Sequence, residues 1–262
     1  MIRLNIKHFV VFITLALFSS CKTEPSTLVE IKGSLLPINQ ETEATDSIEA
    51  YVIPYRNRIN EVLDSTLAFA PSVITKNDGV YNSSEGNLLA DILIQESTPI
   101  FNTRTGNNID FALLNYGGIR SIISKGNVTS RTAYEVMPFE NMIVVAELQG
   151  NAVRELVNYL INSKRPQPIS GIQILLNNNG SLKSVSIQGK PFDENKSYFV
   201  ATIDYLLDGG GGMDFLKNPL SVTDLDYRYR NAMIDWMSIR EISLHARHLS
   251  VSAHKTLTVE LT

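Results

Sequence analysis

Apolar residues recur at two different spacings along this chain, and the two spacings follow each other irregularly. The three-to-four-residue spacing of a helix runs through 48–68, 87–96, 151–161 and 231–243. Continuous or alternating apolar runs, typical of strands, occupy 111–114, 142–148, 172–176, 185–187, 198–202 and 257–261. The Asn-Asn-Asn-Gly run at 177–180 predicts a hairpin. Because helices and strands do not alternate one for one, the sequence predicts an α+β fold, a mixed β-sheet packed with helices.

The first twenty residues have the composition of an export signal. Arg3 and Lys7 precede an apolar run at 9–18, which is shorter than a helix that spans a bilayer. Two serines then precede Cys21, the one cysteine of the chain. This order predicts a bacterial lipoprotein signal peptide over 1–20, with cleavage before Cys21 and acylation of that residue. An ordinary signal peptide followed by an incidental cysteine is the alternative.

The chain that follows the signal divides into a short polar segment and a large domain. Residues 21–47 are rich in Thr, Ser, Glu and Pro and are expected to form a tether, with a short edge strand at 27–31. Residues 48–262 are expected to form the domain. A net charge of -4 argues against nucleic acid as a partner, since that partner usually requires a basic face. We expect a protein anchored by lipid in the bacterial cell envelope, facing the periplasm or the outer-membrane surface.

A turn motif at 115–120, Asn-Tyr-Gly-Gly-Ile-Arg, follows one of the strand-like runs. Its glycines, Gly117 and Gly118, allow the backbone to approach a ligand closely. The Asn115 amide both donates and accepts hydrogen bonds, and the planar Arg120 guanidinium suits a phosphate or the face of a ring. A plain strand-end turn with a solvated arginine is the alternative interpretation of this motif.

Two further motifs contribute aromatic rings. Phe139 follows a proline that stiffens the backbone, and Tyr205 ends a strand-like run ahead of the four glycines at 209–212. Two rings can sandwich a planar base, and each stack contributes about 1–3 kcal/mol whichever base it holds. Taken singly, each ring would also fit a hydrophobic core.

In this order and spacing, the three motifs resemble the C-terminal, substrate-binding domain of the 5'-nucleotidase family. The resemblance covers roughly residues 48–215. It implies base stacking by Phe139 and Tyr205 and polar contacts to the nucleoside from Asn115 and Arg120. It also implies a role in nucleotide catabolism, in which the ligand is a nucleotide or nucleoside.

Two departures from the family pattern leave other functions open. Gly211 stands where family members have the acid of a Gly-Gly-Asp-Gly run, and residues 78–82 lack the arginines that relatives carry there. We expect the nucleotide-recognition domain of a split 5'-nucleotidase system. The alternatives are a stand-alone nucleoside-binding lipoprotein and a structural lipoprotein with a decayed pocket, which the two departures favour.

The sequence offers no ligand set for the two-metal phosphoesterase chemistry of the family. Such a site needs several His and Asp or Glu ligands around two ions. His245, His248 and His254 cluster near the C-terminus, and His245 and His248, three residues apart, could share a helix face. No third strong ligand is placed near that pair, and a solvated helix end explains these histidines better. We expect no catalytic residue, metal or cofactor in this chain. The expected partner is a separate metallophosphoesterase polypeptide, which would carry the divalent metals.

Overall fold

The computed structural model describes residues 6–18, 28, 30–39, 42–43, 45–239 and 257–259. The chain divides into two compact units, Met1–Ala50 and Tyr51–Thr262. In the first unit, helix α1 covers Ile6–Phe18. Within the described ranges, every helix is too short or too polar to cross a membrane.

The described residues form six further α-helices, which follow the strands irregularly along the chain. They are α2 (Asp46–Leu63), α3 (Ser84–Thr105), α4 (Ser130–Val136), α5 (Gly150–Ser163), α6 (Asp204–Leu207) and α7 (Tyr229–Ile239). The longest helix, α3, is capped at both ends by residues that flank it. The Ser83 hydroxyl accepts a hydrogen bond from the Gly86 N–H at 3.1 Å, and Gly106 ends the helix in the left-handed conformation.

The strands form three sheets. They are β1 (Thr66–Ala70), β2 (Phe111–Leu113), β3 (Gly126–Thr129), β4 (Met142–Gln149), β5 (Ile169–Ser170), β6 (Ile172–Leu176), β7 (Leu182–Ile187), β8 (Lys190–Pro191), β9 (Ser197–Ile203), β10 (Ser221–Arg228) and β11 (Leu257–Val259). The central sheet has the order β10-β4-β9-β2-β5, in which β2 and β9 are parallel and the other pairs antiparallel. The other sheets are β1-β3 and β11-β6-β7-β8.

The core lies on the central sheet. In β4 the consecutive residues Ile143, Val144, Val145 and Ala146 are all buried, which requires cover on both faces of the strand. Helices α3 and α5 both pack on β4 and β9. The central sheet is therefore a rigid support for the loops at its edges.

The α+β prediction is confirmed, with mixed sheets packed against helices. The hairpin is also confirmed, because β6 and β7 pair antiparallel around residues 177–180. Three local predictions were wrong. The first domain helix ends at Leu63, because the next residues pair with β3 as a strand. At 27–31 the described residues Leu28, Glu30 and Ile31 form no strand. The third concerns Tyr205 and is described with the site.

Candidate functional site

Three loops meet at one edge of the central sheet because of the directions of its strands. β2 and β9 are parallel neighbours, so the segments that follow them leave the sheet at the same edge. β4 runs antiparallel to β9, with Ile143 opposite Ile203, so the segment before β4 reaches that edge too. These three segments carry Asn115, Phe139 and Tyr205.

The first loop is a tight turn, Tyr116–Gly118, directly after Asn115. A β-carbon on Gly118 would lie 2.9 Å from Oδ1 of Asn115, closer than such atoms approach each other in proteins. Glycine at this position therefore lets the Asn115 amide fold over the turn. Oδ1 of Asn115 is buried and has no hydrogen-bond partner among the described residues, so it can accept from a donor on a ligand.

The outer side of this turn is held by the loop that precedes α3. The Lys76 ammonium donates to the Ile119 carbonyl and lies 4.3 Å from the centroid of the Tyr116 ring. The Arg120 N–H donates to the Val136 carbonyl at 2.9 Å. The backbone that follows the Gly-Gly pair is therefore fixed, while the Arg120 side chain is exposed at the rim.

The backbone around Phe139 is held by a buried arginine, Arg230. One guanidinium nitrogen of Arg230 donates to the carbonyls of Met137 (3.3 Å) and Phe139 (3.1 Å), and the other pairs with Glu140. The hydrogen bond from Arg230 also holds the pKa of Glu140 below its ordinary value. The Phe139 ring stays 40% exposed, with the Arg120 guanidinium 5.9 Å from its centroid.

Tyr205 lies in α6, directly after β9, and the prediction that it ends the strand was wrong. The strand stops at Ile203, and the Asp204 carboxylate accepts a hydrogen bond from the Tyr205 N–H at 2.7 Å as the helix begins. The Tyr205 ring is 50% exposed. Gly211 follows in the glycine run with a φ of 67°, and a β-carbon there would make ordinary contact with Asn115 at 3.6 Å.

All six residues that the sequence singles out line one cleft of about 400 Å³. They are Asn115, Gly117, Gly118, Arg120, Phe139 and Tyr205, and Asn141 and Gly211 complete the lining. Two half-exposed rings, two amides and one guanidinium thus share a single concave surface. That combination suits a planar, polar-edged ligand. The roles of the individual residues in binding stay predictions.

The site is flanked by one buried carboxyl group that the motifs do not include. Glu85, in the first turn of α3, is fully buried, and neither of its side-chain oxygens has a hydrogen-bond partner in the described part of the chain. Burial raises its pKa from 4.5 to about 8, against the opposing effect of Lys76. This electrostatic interaction with Lys76 connects Glu85 to the turn that Lys76 holds.

Two sets of sequence predictions fall outside the described residues. Cys21, the predicted lipidation site, is one, and the histidines at 245, 248 and 254 are the other. Among the residues that the structure does describe, no three His, Cys, Asp or Glu side chains lie where they could hold a metal ion together.

The residues that hold the site in place were missed by sequence reasoning. Lys76 and Arg230 act on the motif loops from 43 and 91 residues away in the chain. Gln167 accepts a hydrogen bond from the Tyr116 N–H at 2.7 Å across 51 residues. No local pattern marks such residues, because each stands among other polar or charged residues and looks like an ordinary surface side chain.

Comparison with known proteins gives a consistent result. The family model described as "5'-nucleotidase, C-terminal domain" matches residues 66–218. Protein UshA of Salmonella pullorum is 35% identical over 121 residues, which are 44% of this chain and 21% of that protein. Cell wall protein Lmo0130 of Listeria monocytogenes is 28% identical over 189 residues, covering 65% of this chain and 24% of that protein.

Among solved structures, the 5'-nucleotidase precursor from Thermus thermophilus has a similar fold. Its TM-score is 0.64 at 22% sequence identity, and the match covers 83% of this chain and 43% of that one. The chain therefore spans less than half the length of each of these relatives.

Proposed function

Since this chain belongs to the 5'-nucleotidase C-terminal domain family, we propose that its cleft binds a nucleotide or nucleoside and that a separate polypeptide performs the hydrolysis. The observation that supports the binding most directly is the pair of rings on one cleft. Phe139 and Tyr205 keep 40% and 50% of their surface exposed while lining the same concave space. Exposed ring faces are what a stacked base requires.

The polar groups around the rings provide the remaining contacts. Asn115 offers a buried, unpartnered carbonyl oxygen to an amino group of a base or to a ribose hydroxyl. Arg120 lies at the rim, where its charge is available to a phosphate. Stacking provides affinity without base discrimination, and Asn115 would orient the base.

The catalytic role is assigned to a separate metallophosphoesterase. The described residues contain no cluster of three metal-ligating side chains, and two-metal hydrolysis requires such clusters. We expect the full chain alone to release no phosphate from nucleotides in the presence of Mn²⁺, Zn²⁺ or Co²⁺. Metal-dependent hydrolysis that is lost on His245→Ala or His248→Ala would refute this assignment.

We also propose that the protein is a lipoprotein of the bacterial cell envelope, exported by the 1–20 signal peptide and anchored through Cys21. The name of the relative Lmo0130, a cell wall protein, supports an envelope location. The tether at 21–47 would leave the domain room to reach its partner.

A stand-alone nucleoside-binding lipoprotein is the second candidate. The observation that favours it is Gly211, which offers no carboxylate to the cleft. Without that acid, and without arginines at 78–82, recognition would depend on the base more than on ribose or phosphate. Under this candidate, adding a metallophosphoesterase would not change the affinity or produce hydrolysis of the bound ligand.

A binding panel tests the proposal. Calorimetry and thermal shift with nucleosides and nucleotides should show stabilisation by about 2.7 kcal/mol when the ligand is present at about 100 times its Kd. Phe139→Ala and Tyr205→Ala should each weaken binding by about 1–3 kcal/mol.

The matched control is Phe69→Ala, since Phe69 lies on β1 outside the cleft lining and is 45% exposed. It should bind like the wild type. Equal losses in all three variants, or no binding by the wild type, would refute the proposed function.

A further inference from the structure

A second cleft, of about 290 Å³, lies beside the one that carries the two rings. The two clefts share Asn115, Gly117 and Gly211 in their linings. Both shared glycines lack a side chain, so only backbone and the Asn115 amide stand at the boundary. A ligand in the first cleft can therefore extend a substituent into the second.

The walls of the second cleft are fixed by a chain of hydrogen bonds. The Tyr116 N–H donates to Oε1 of Gln167 at 2.7 Å, and Nε2 of Gln167 lies 3.5 Å from the Tyr159 hydroxyl. That hydroxyl donates to the Gly211 carbonyl at 2.8 Å. Tyr159 also packs on Phe215, with ring centroids 5.5 Å apart. The chain connects the Asn115 turn with the glycine run, so the boundary between the clefts has a defined shape.

Arg165 is the one charged residue among the described residues that line the second cleft. Its side chain is exposed, and it forms no salt bridge or side-chain hydrogen bond with another residue in the described part of the chain. A guanidinium without an acidic partner, beside a cleft with no carboxylate in its lining, favours an anion there. Because guanidinium groups bind phosphate in a bidentate manner, a phosphate group is the best match.

We propose that the second cleft is a phosphate subsite, in which Arg165 binds the phosphate of a nucleotide whose base lies between Phe139 and Tyr205. This inference depends on the proposed function, since the base must occupy the first cleft. The two arginines lie in different places, Arg120 at the rim of the first cleft and Arg165 in the second. The bound phosphate would lie across Gly211 from the base.

The test compares adenosine, adenosine 5'-monophosphate and adenosine 3'-monophosphate by calorimetry at fixed ionic strength. At least one monophosphate should bind the wild type more tightly than adenosine does. Arg165→Gln should raise the Kd of that monophosphate about 5- to 20-fold while leaving the Kd of adenosine unchanged. Arg165→Lys keeps the charge but loses the bidentate geometry. Its Kd for the monophosphate should therefore lie between those of the wild type and Arg165→Gln.

Arg58→Gln is the control for lost surface charge, because Arg58 lies on α2 outside both clefts and pairs with Glu61. It should leave all three affinities unchanged. The subsite would be refuted if neither monophosphate bound more tightly than adenosine. It would also be refuted if the tighter binding of the monophosphate were kept in Arg165→Gln and lost in Arg120→Gln. If none of the three ligands bound the wild type, the proposed function would fail, whereas adenosine binding without an Arg165-dependent gain refutes the subsite alone.

Discussion

Replacing Glu85 by glutamine should make the protein more stable at neutral and alkaline pH, and the gain should grow with pH. Glu85 is fully buried, and neither of its side-chain oxygens makes a regular hydrogen bond in the described structure, although the Lys76 backbone N–H lies close enough to favour the charged form. Burial raises its pKa from 4.5 to about 8, and the opposing contributions come from Lys76. The nearby Asp78 carboxylate adds to the increase. A neutral amide of the same shape removes the ionisable group and changes the packing little.

The sign and size follow from proton linkage. Well below pH 4.5, Glu85 is protonated in both the folded and the unfolded chain, so it has no effect on the pH dependence of stability. Between pH 4.5 and about 8 the unfolded chain releases the proton while the folded chain keeps it, so stability falls as pH rises. Each unit of difference between the folded and unfolded pKa corresponds to about 1.4 kcal/mol of unfolding free energy. Above pH 8, the full shift from 4.5 to about 8 therefore lowers the stability of the wild type by on the order of 5 kcal/mol. That is a large fraction of the stability of an ordinary domain.

The measurement is denaturant unfolding of wild type and Glu85→Gln between pH 4 and pH 9. The single tryptophan, Trp236, is a suitable probe, because it is buried on α7 and its indole N–H donates to Gln95 on α3 at 3.0 Å. The free-energy difference between variant and wild type should rise by about 1.4 kcal/mol per pH unit between pH 5 and pH 8.

Glu155→Gln is the control, because Glu155 is an exposed residue of α5, and its difference from wild type should change little with pH. A constant difference for Glu85→Gln would refute the reasoning. It would mean that Lys76 and the N-terminus of α3 keep the buried carboxylate charged.

Three more outcomes are expected. Arg230→Met should destabilise the fold by about 1–3 kcal/mol, since it leaves the carbonyls of Met137 and Phe139 without their donor. It should also weaken nucleoside binding, and unchanged calorimetric affinity would show that Arg230 does not position the ring. Gly211→Asp puts a side chain at a left-handed φ of 67°, which strains aspartate less than most residues; it should tighten the binding of adenosine but not of 2',3'-dideoxyadenosine, and equal changes for both ligands would count against a ribose contact. Cys21→Ser should release the protein from membranes or block its processing, and a soluble mature wild type with an unmodified Cys21 would contradict the lipid anchor.

The sequence predicted the parts of the fold that local patterns specify. Helical stripes identified α3, α5 and α7, although α3 continues past Pro99 because Phe101 extends its buried face. Apolar runs identified β4, β6 and β9. β10 was missed, because it lies at the edge of the sheet and most of its residues are exposed, so it has no apolar run. Tyr205 was misassigned because helix α6 has only four residues and follows β9 without a break.

Within the site, the lining residues could be predicted and their supports could not. Glycine pairs and isolated aromatic residues at strand ends are visible in the sequence, and strand direction then brings them to one edge. The hydrogen bonds of Arg230 to the Phe139 loop and of Gln167 to Tyr116 depend on side chains distant in the chain. A buried arginine next to an apolar segment looks like any other charged surface residue until the packing is known.

The way Phe139 is held bears on the choice between a binding cleft and a decayed pocket. A ring left 40% exposed forgoes hydrophobic stabilisation that burial would give. In a pocket without a ligand, nothing would oppose inward packing of the ring, and the desolvation of a fully buried guanidinium is costly unless its donors are used. Here Arg230 is 3% exposed; it donates to the backbone carbonyls of Met137 and Phe139 and pairs with Glu140, while its Nε has no partner among the described residues. Because this buried cation fixes the backbone of the loop that carries an exposed ring, we expect the cleft to bind a ligand, and the nucleoside panel tests that expectation against a decayed pocket.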